Sequence, residues 1–242
     1  FVNGVLRNIS REKDKIKFPD KKDGFCAYAS VRYSMPEWIV NYLCEEYGED
    51  ETERIFEGFL KADRGVSVRC NVSKAEPQEV YDMLKKQGIS VKKSELFDYA
   101  FSIDDFDRLQ DVEALKKGYI QVQDFSSILA GHIPEIKGGE NIIDICAAPG
   151  GKTLHIADRL NDRKLNGGGK IISCDLTDAK TALIKENVER NGFENVSVVK
   201  NDALAFKKEW EDTADIVIAD LPCSGLGVIG KKCDIKYKTS IE

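Results

Sequence analysis

Residues 140–153 read "ENIIDICAAPGGKT". A short apolar run, suited to a buried strand, breaks into small residues, then two glycines and a lysine. The helical segment "LHIADRL" (154–160) follows. The same rhythm continues downstream. "GKIISCD" (169–175) reads as a strand, 178–191 as a helix with Lys180, Ile184 and Val188 four apart, "VSVVKND" (196–202) as a third strand and "ADIVIAD" (214–220) as a fourth. Strands alternating with helices imply an α/β fold with a parallel sheet and right-handed crossovers.

Upstream the pattern differs. "VSVRCNV" (66–72) alternates like a strand, "EPQEVYDMLKKQG" (76–88) is an amphipathic helix closed by Gly88, and "YIQVQ" (119–123) is a further strand. These give a small α/β unit. Residues 35–63 suit two helices, with Pro36 at a first helical position and Trp38, Ile39, Tyr42 and Leu43 at helical spacing. "FVNGVLRNI" (1–9) reads as the last turns of a helix, and the charged run "SREKDKIKFPDKKDG" (10–24) as a linker. The expected division is 1–22, 23–123 and 124–242.

Composition narrows the function classes. The 242 residues carry a formal charge of -6, which argues against bulk coating of nucleic acid. Local basic patches persist: seven Lys/Arg against three Asp/Glu over 7–22, and "GKKCDIKYK" at 230–238. Seven cysteines stand singly and there are two histidines. No C-x-x-C pair occurs, so neither a zinc site nor a complete disulfide framework is expected. Free thiols suit a reducing cytosol. No apolar run approaches the ~18 residues of a membrane span. The expectation is a cytoplasmic monomer without metal or membrane.

In open parallel sheets, ligands bind beyond the carboxyl ends of the strands. There the first strand offers "CAAPGGKT", the second ends in Asp175, the third in Asp202 and the fourth in Asp220. Cys146 stands where a phosphate-binding P-loop needs its first glycine, and no G-x-G-x-x-G for a dinucleotide occurs. Asp175 and Asp202 suit an adenosine, one gripping the ribose diol and the other the adenine amino group. Cys223, in "ADLPCSGLG" (219–227), differs from Cys26, Cys44, Cys70 and Cys174, which are assigned to packing. It follows Pro222 in a loop at the ligand end of the sheet, where an accessible thiol suits covalent chemistry. Carbon 5 of cytosine becomes nucleophilic once a thiolate has added at carbon 6, and the loop lacks the Asn/Asp-Pro-Pro-aromatic pattern of amino-group methylation.

"DICAAPGGKT", "SCDLTDAK", "KNDA" and "ADLPCSGLGV", in that order, resemble the Sun-type (NOL/NOP/Sun) family of RNA cytosine-5 methyltransferases, in particular its bacterial 16S ribosomal RNA branch. "VRCN" and "IQVQDFSSILA" resemble stretches preceding the catalytic domain, and "FVNGVLRNI" the end of a NusB-like helical domain. The resemblance implies a Rossmann-like methyltransferase domain, S-adenosylmethionine as cofactor and small-subunit ribosomal RNA as substrate. It implies that Cys146, Ala147, Ala148, Pro149, Gly150, Gly151 and Lys152 surround the methionine end of the cofactor. Asp175 would bind ribose, Asp202 adenine, and Asp220 would face both cofactor and cytosine. Cys223 would assist product release. The attacking thiol would belong to a later Thr-Cys motif, and a sheet of about seven strands would be usual, so the chain is expected to be a fragment. Two alternatives stand: Cys223 is itself the nucleophile, or the chain is a non-catalytic RNA-binding assembly factor that keeps the pocket.

Overall fold

The computed structural model describes residues 1–15, 17–61, 65–162 and 168–240. The chain divides into two compact units, one of 1–63 with 223–242 and one of 64–222.

The first unit is helical. Helix α1 (Val2–Glu12) buries none of its residues and runs on into a 3-10 turn, Lys13–Lys15. The charged run expected as a linker is therefore helical as far as Lys15. No proline or glycine interrupts it before Pro19, and Lys15 pairs with Glu12 at 3.2 Å. Helix α2 (Phe25–Arg32), absent from the sequence reading, follows Gly24. The span α3 (Glu37–Leu60) breaks at Gly48, whose φ of 77° lies in the region glycine tolerates, so the two expected helices are present, meeting at a kink. Pro36 is the N-cap of α3, one position outside the place expected for it. Phe25, Ala29, Ile39, Val40, Phe56 and Ile229 form the core of this unit.

The second unit holds two sheets. Its first half runs β1 (Val66–Cys70), α4 (Pro77–Lys86), β2 (Ser90–Lys93), β3 (Ala100–Asp104), α5 (Glu113–Lys116) and β4 (Ile120–Val122). The strands form an antiparallel sheet in the order β2-β3-β1-β4. Helix α4 lays Val80 and Leu84, four apart, onto this sheet's core and stops before Gly88 at φ 80°.

The second half runs α6 (Phe125–His132), β5 (Asn141–Asp144), α7 (Gly151–Leu160), β6 (Lys170–Asp175), α8 (Asp178–Asn191), β7 (Val196–Lys200) and β8 (Ile216–Ile218). All three strand pairings are parallel, in the order β7-β6-β5-β8. This is the Rossmann-like sheet. Helix α7 buries Leu154, Ile156, Ala157 and Leu160. Helix α8 buries Thr181, Ile184 and Val188, so its inward stripe passes through Thr181 and leaves Lys180 outside. Thr177 Oγ1 caps α8 by accepting from the Lys180 amide at 3.3 Å.

Strand order locates the ligand end. From β5 the chain passes to β6 and β7 on one side and returns to β8 on the other. The reversal falls between β5 and β8, the position at which open α/β sheets leave a crevice at their carboxyl ends. Among the described residues, no helix is long and apolar enough to cross a membrane.

Candidate functional site

At the end of β5 the chain makes a tight return into α7. The Ala147 amide donates to the Cys174 carbonyl at 2.8 Å, and the Gly150 amide to the Ala147 carbonyl at 2.6 Å. Gly150 sits at φ 104°, in the left-handed region, so the turn itself asks for glycine; a Cβ there would meet Ile184 Cγ2 only in ordinary contact at 3.5 Å. At Gly151 a Cβ would meet nothing within 4 Å, so this glycine leaves open space in front of the loop. Asn187 of α8 donates from Nδ2 to the Pro149 carbonyl at 2.8 Å and braces the loop from behind. The opening turn of α7 points its amides outward, which suits an anionic group.

Val122, Gln123, Asp124, Ser127, Asp144, Cys146–Pro149, Gly151, Lys152 and Asp220 line a cleft of about 240 Å³. Lys152 reaches across it to Asp220, Nζ to Oδ2 at 2.5 Å. The loop and Asp220, brought together here, come from the ends of β5 and β8.

Asp175 closes β6 and is almost fully buried. Its Oδ2 accepts from the Ala148 amide at 3.0 Å, and its Oδ1 from the Leu176 amide at 2.8 Å and from Lys180 Nζ at 3.0 Å. Burial alone would raise its pKa, but these donors outweigh it and hold the carboxylate below its ordinary value. Asp175 therefore stays ionised beside the loop. Asp202 is exposed past the end of β7, with Oδ1 accepting from the Leu204 amide at 2.9 Å. It does not line the cleft. Cys223 is exposed and belongs to the first unit. Cys146 lines the cleft, and burial pushes its thiol pKa up, so it is no ready thiolate.

One residue of the cleft escaped the sequence reading. Asp144 is 1% exposed, and burial pushes its pKa up to about 6. Thr153 Oγ1 donates to its Oδ2 at 2.7 Å, and the same hydroxyl meets Ser173 Oγ at 2.9 Å. Thr153 has a single hydrogen, so with Asp144 ionised Ser173 must donate to Thr153. The signal was present: Asp144 ends its strand as Asp175 and Asp220 end theirs. Reading "ENIIDIC" as one strand placed it inside instead.

A family model described as 16S rRNA methyltransferase RsmB/F matches residues 133–241. A second, the ferredoxin-like domain of the same RsmF/B-like proteins, matches 35–109. Over both segments the chain resembles the RsmB/F family. An RsmB/F relative from Bacillus subtilis, the probable ribosomal RNA small subunit methyltransferase B, is 34% identical over 98% of this chain and 51% of its own length. The corresponding Vibrio vulnificus protein is 29% identical over 98% of this chain and 53% of its own. The chain thus spans about half the length of these curated relatives. Among solved structures, PH0851 superposes with a TM-score of 0.84 at 29% identity, covering 94% of this chain and 49% of that one. A methyltransferase homolog from Pyrococcus horikoshii gives a TM-score of 0.72 at 26% identity, over 86% of this chain and 66% of its own.

Proposed function

We propose that this chain carries the S-adenosylmethionine pocket of an enzyme that methylates carbon 5 of a cytosine in 16S ribosomal RNA. The observation that carries the reading is the convergence of the Cys146–Lys152 loop and Asp220 on one cleft at the strand-order reversal. The residues suit the cofactor: a buried, ionised carboxylate at Asp175 for a ribose diol, outward amides at the start of α7, and open space before Gly151. When bound, S-adenosylmethionine supplies a methyl group on an electrophilic sulfonium. Asp202 belongs on the adenine side, one residue beyond Asn201, whose amide donates to the Asp175 carbonyl at 3.0 Å.

The protein's own groups then divide the work on cytosine. A thiolate adds at carbon 6 while Asp220 faces the cytosine edge on which the ring nitrogen takes up a proton. Carbon 5 is thereby made nucleophilic, accepts the methyl group and loses its proton to a base, and the thiol departs. Cys223, three residues after Asp220, assists that departure. The base must leave its helix to reach such a cleft, and the RNA backbone is held by basic patches such as 230–238.

The exposure of Cys223 favours one rival reading, in which this thiol itself attacks. The deciding experiment incubates the chain with S-adenosylmethionine and small-subunit RNA carrying 5-fluorocytosine. Fluorine at carbon 5 blocks the final elimination and keeps an attacking thiol attached. A gel-stable adduct mapping to Cys223 replaces its release role by attack. No adduct, with cofactor binding measured by calorimetry, keeps the release role. No cofactor binding removes the whole reading.

A further inference from the structure

Arg69 lies within β1, where its neighbours Val68 and Cys70 point into the core of the antiparallel sheet. Its own side chain therefore leaves by the other face, and it is fully buried there. Nε donates to Gln123 Oε1 at 3.0 Å, while Nη1 donates to Asp158 Oδ2 at 3.0 Å and to the Cys70 carbonyl at 3.1 Å. A buried ion pair is weak evidence for a stabilising role, because packed apolar side chains of similar volume often do as well. What only a guanidinium supplies is direction: its planar fork holds two side chains at once. One of them, Asp158, stands on the helix whose first turn forms the cleft. The other, Gln123, lines the cleft itself beside Ser127. Gln123 donates from its backbone amide to the Ser67 carbonyl at 3.1 Å and from Nε2 to the Ser127 carbonyl at 3.2 Å. A guanidinium can only donate, so the amide oxygen must face Arg69 and the amide nitrogen must face Ser127. Arg69 thus decides which way round this amide stands in the cleft wall.

We propose that Arg69 is a positioning residue for the cleft, acting through Gln123 to set the shape and polarity of the Val122–Ser127 wall. The inference rests on the cofactor reading above only for the ligand that reads it out. Without the guanidinium, Gln123 Oε1 is unheld and the amide is free to turn round. Turned round, its oxygen would face the Ser127 carbonyl oxygen, two acceptors together, and the side chain would be driven out of the wall into the cleft. A lysine at position 69 keeps a positive charge beside Asp158 but replaces the fork by one compact ammonium on a flexible stem. Its single nitrogen serves the carboxylate and leaves Gln123 unheld.

The test is a double-variant cycle, read by calorimetry with S-adenosylhomocysteine and by the NMR signals of the Gln123 side-chain amide. The proteins are the chain as it stands, Arg69→Lys, Gln123→Ala and the two together. Arg69→Lys should weaken the ligand roughly three- to tenfold, the scale of one hydrogen bond. It should also move or broaden the Gln123 amide signals, which Gln123→Ala identifies by removing them. In the Gln123→Ala background the lysine should cost no further affinity, because the residue it acts through is gone. A merely structural Arg69 predicts the same loss with or without Gln123, and that outcome overturns the proposal. Full affinity in Arg69→Lys also overturns it. If Arg69→Lys fails to fold, Gln123→Ala decides, since it leaves the Arg69–Asp158 pair in place: full affinity overturns the proposal and a loss on the stated scale supports it. If the unsubstituted chain binds no S-adenosylhomocysteine, the cofactor reading has failed and the amide signals alone decide. Unmoved in Arg69→Lys, they overturn the positioning role; moved, they support it.

Discussion

The Arg69 guanidinium on β1 and the Asp158 carboxylate on α7 meet at 3.0 Å with both side chains removed from solvent. Asp158 also accepts from the Val72 amide at 2.9 Å, the Ser73 amide at 3.0 Å and the Ser73 hydroxyl at 2.5 Å. Arg69 is held in turn by the Gln123 side chain at 3.0 Å and the Cys70 carbonyl at 3.1 Å. The antiparallel sheet is thereby bolted to the helix whose first turn forms the cleft.

Removing one partner of such a pair strands the other charge in the interior. Asp158→Ala should therefore cost about 3–5 kcal/mol of stability. It also orphans two backbone amides. Urea unfolding monitored by circular dichroism measures it, and a loss below about 1 kcal/mol would show that the pair is not sealed.

Gly131 and His155 make a second, steric link between α6 and α7. A Cβ at position 131 would stand 2.3 Å from His155 Nδ1, closer than any real contact. Gly131→Ala should destabilise by about 1–3 kcal/mol despite alanine's better helix propensity. Adding His155→Ala removes the obstruction, so the double variant should lose less than the two single losses combined. Strict additivity in thermal melts would refute the steric account.

His155 also makes a pH prediction. It is buried, and burial chiefly drives its pKa down to about 2, with Arg69 and Arg159 adding to the effect. Its Nδ1 has no hydrogen-bond partner and faces Gly131, so the proton belongs on Nε2, which meets Tyr99 Oη at 3.3 Å. Tyr99 can then donate to His132 Nδ1 at 2.9 Å. A base whose folded pKa lies below its unfolded value of 6.5 contributes stability that is present above pH 6.5 and lost as pH falls toward 2. The group adds a slope of about 1.4 kcal/mol per pH unit in that window. His155→Gln should flatten the acid limb of the stability profile by that slope. An unchanged acid limb would mean that the imidazole titrates freely.

The parallel half of the fold was legible because each of its strands is a compact apolar run ending in an acidic or small-residue turn, and because α7 and α8 carry regular stripes. Strand β2 was not, since Val91 is its one buried residue among Ser90, Lys92 and Lys93. Strand β3 has its core residues, but "AFSID" is too short to separate from a loop by periodicity. Helix α2 lacks amphipathic contrast: only Phe25 and Ala29 of its eight residues are buried. Of the site, the loop, Asp175 and Asp220 could be named in advance because strand ends announce ligand positions. Asp144 was legible by the same rule and was passed over because "ENIIDIC" reads as one strand running beyond it, whereas β5 ends at Asp144. The Gly131–His155 contact was invisible, since residues 24 apart carry no pattern that joins them.

Asp175 gives the most direct test of the proposed pocket. Its carboxylate is the only described partner of the Ala148 amide, and it anchors the Leu176 amide as well. Asp175→Ala should therefore act twice, removing an ionised acceptor for a ribose diol and releasing the loop that shapes the cleft. A hydrogen bond to a charged group contributes about 1.5–3 kcal/mol, so affinity for S-adenosylmethionine should fall roughly tenfold to a hundredfold. Asp175→Asn keeps one neutral acceptor for the Ala148 amide and should retain the loop while still weakening the ribose contact. The two variants thus separate positioning from binding. If Asn restores the full affinity, Asp175 serves the loop alone. If both variants bind adenosine ligands as the unsubstituted chain does, the ribose assignment falls.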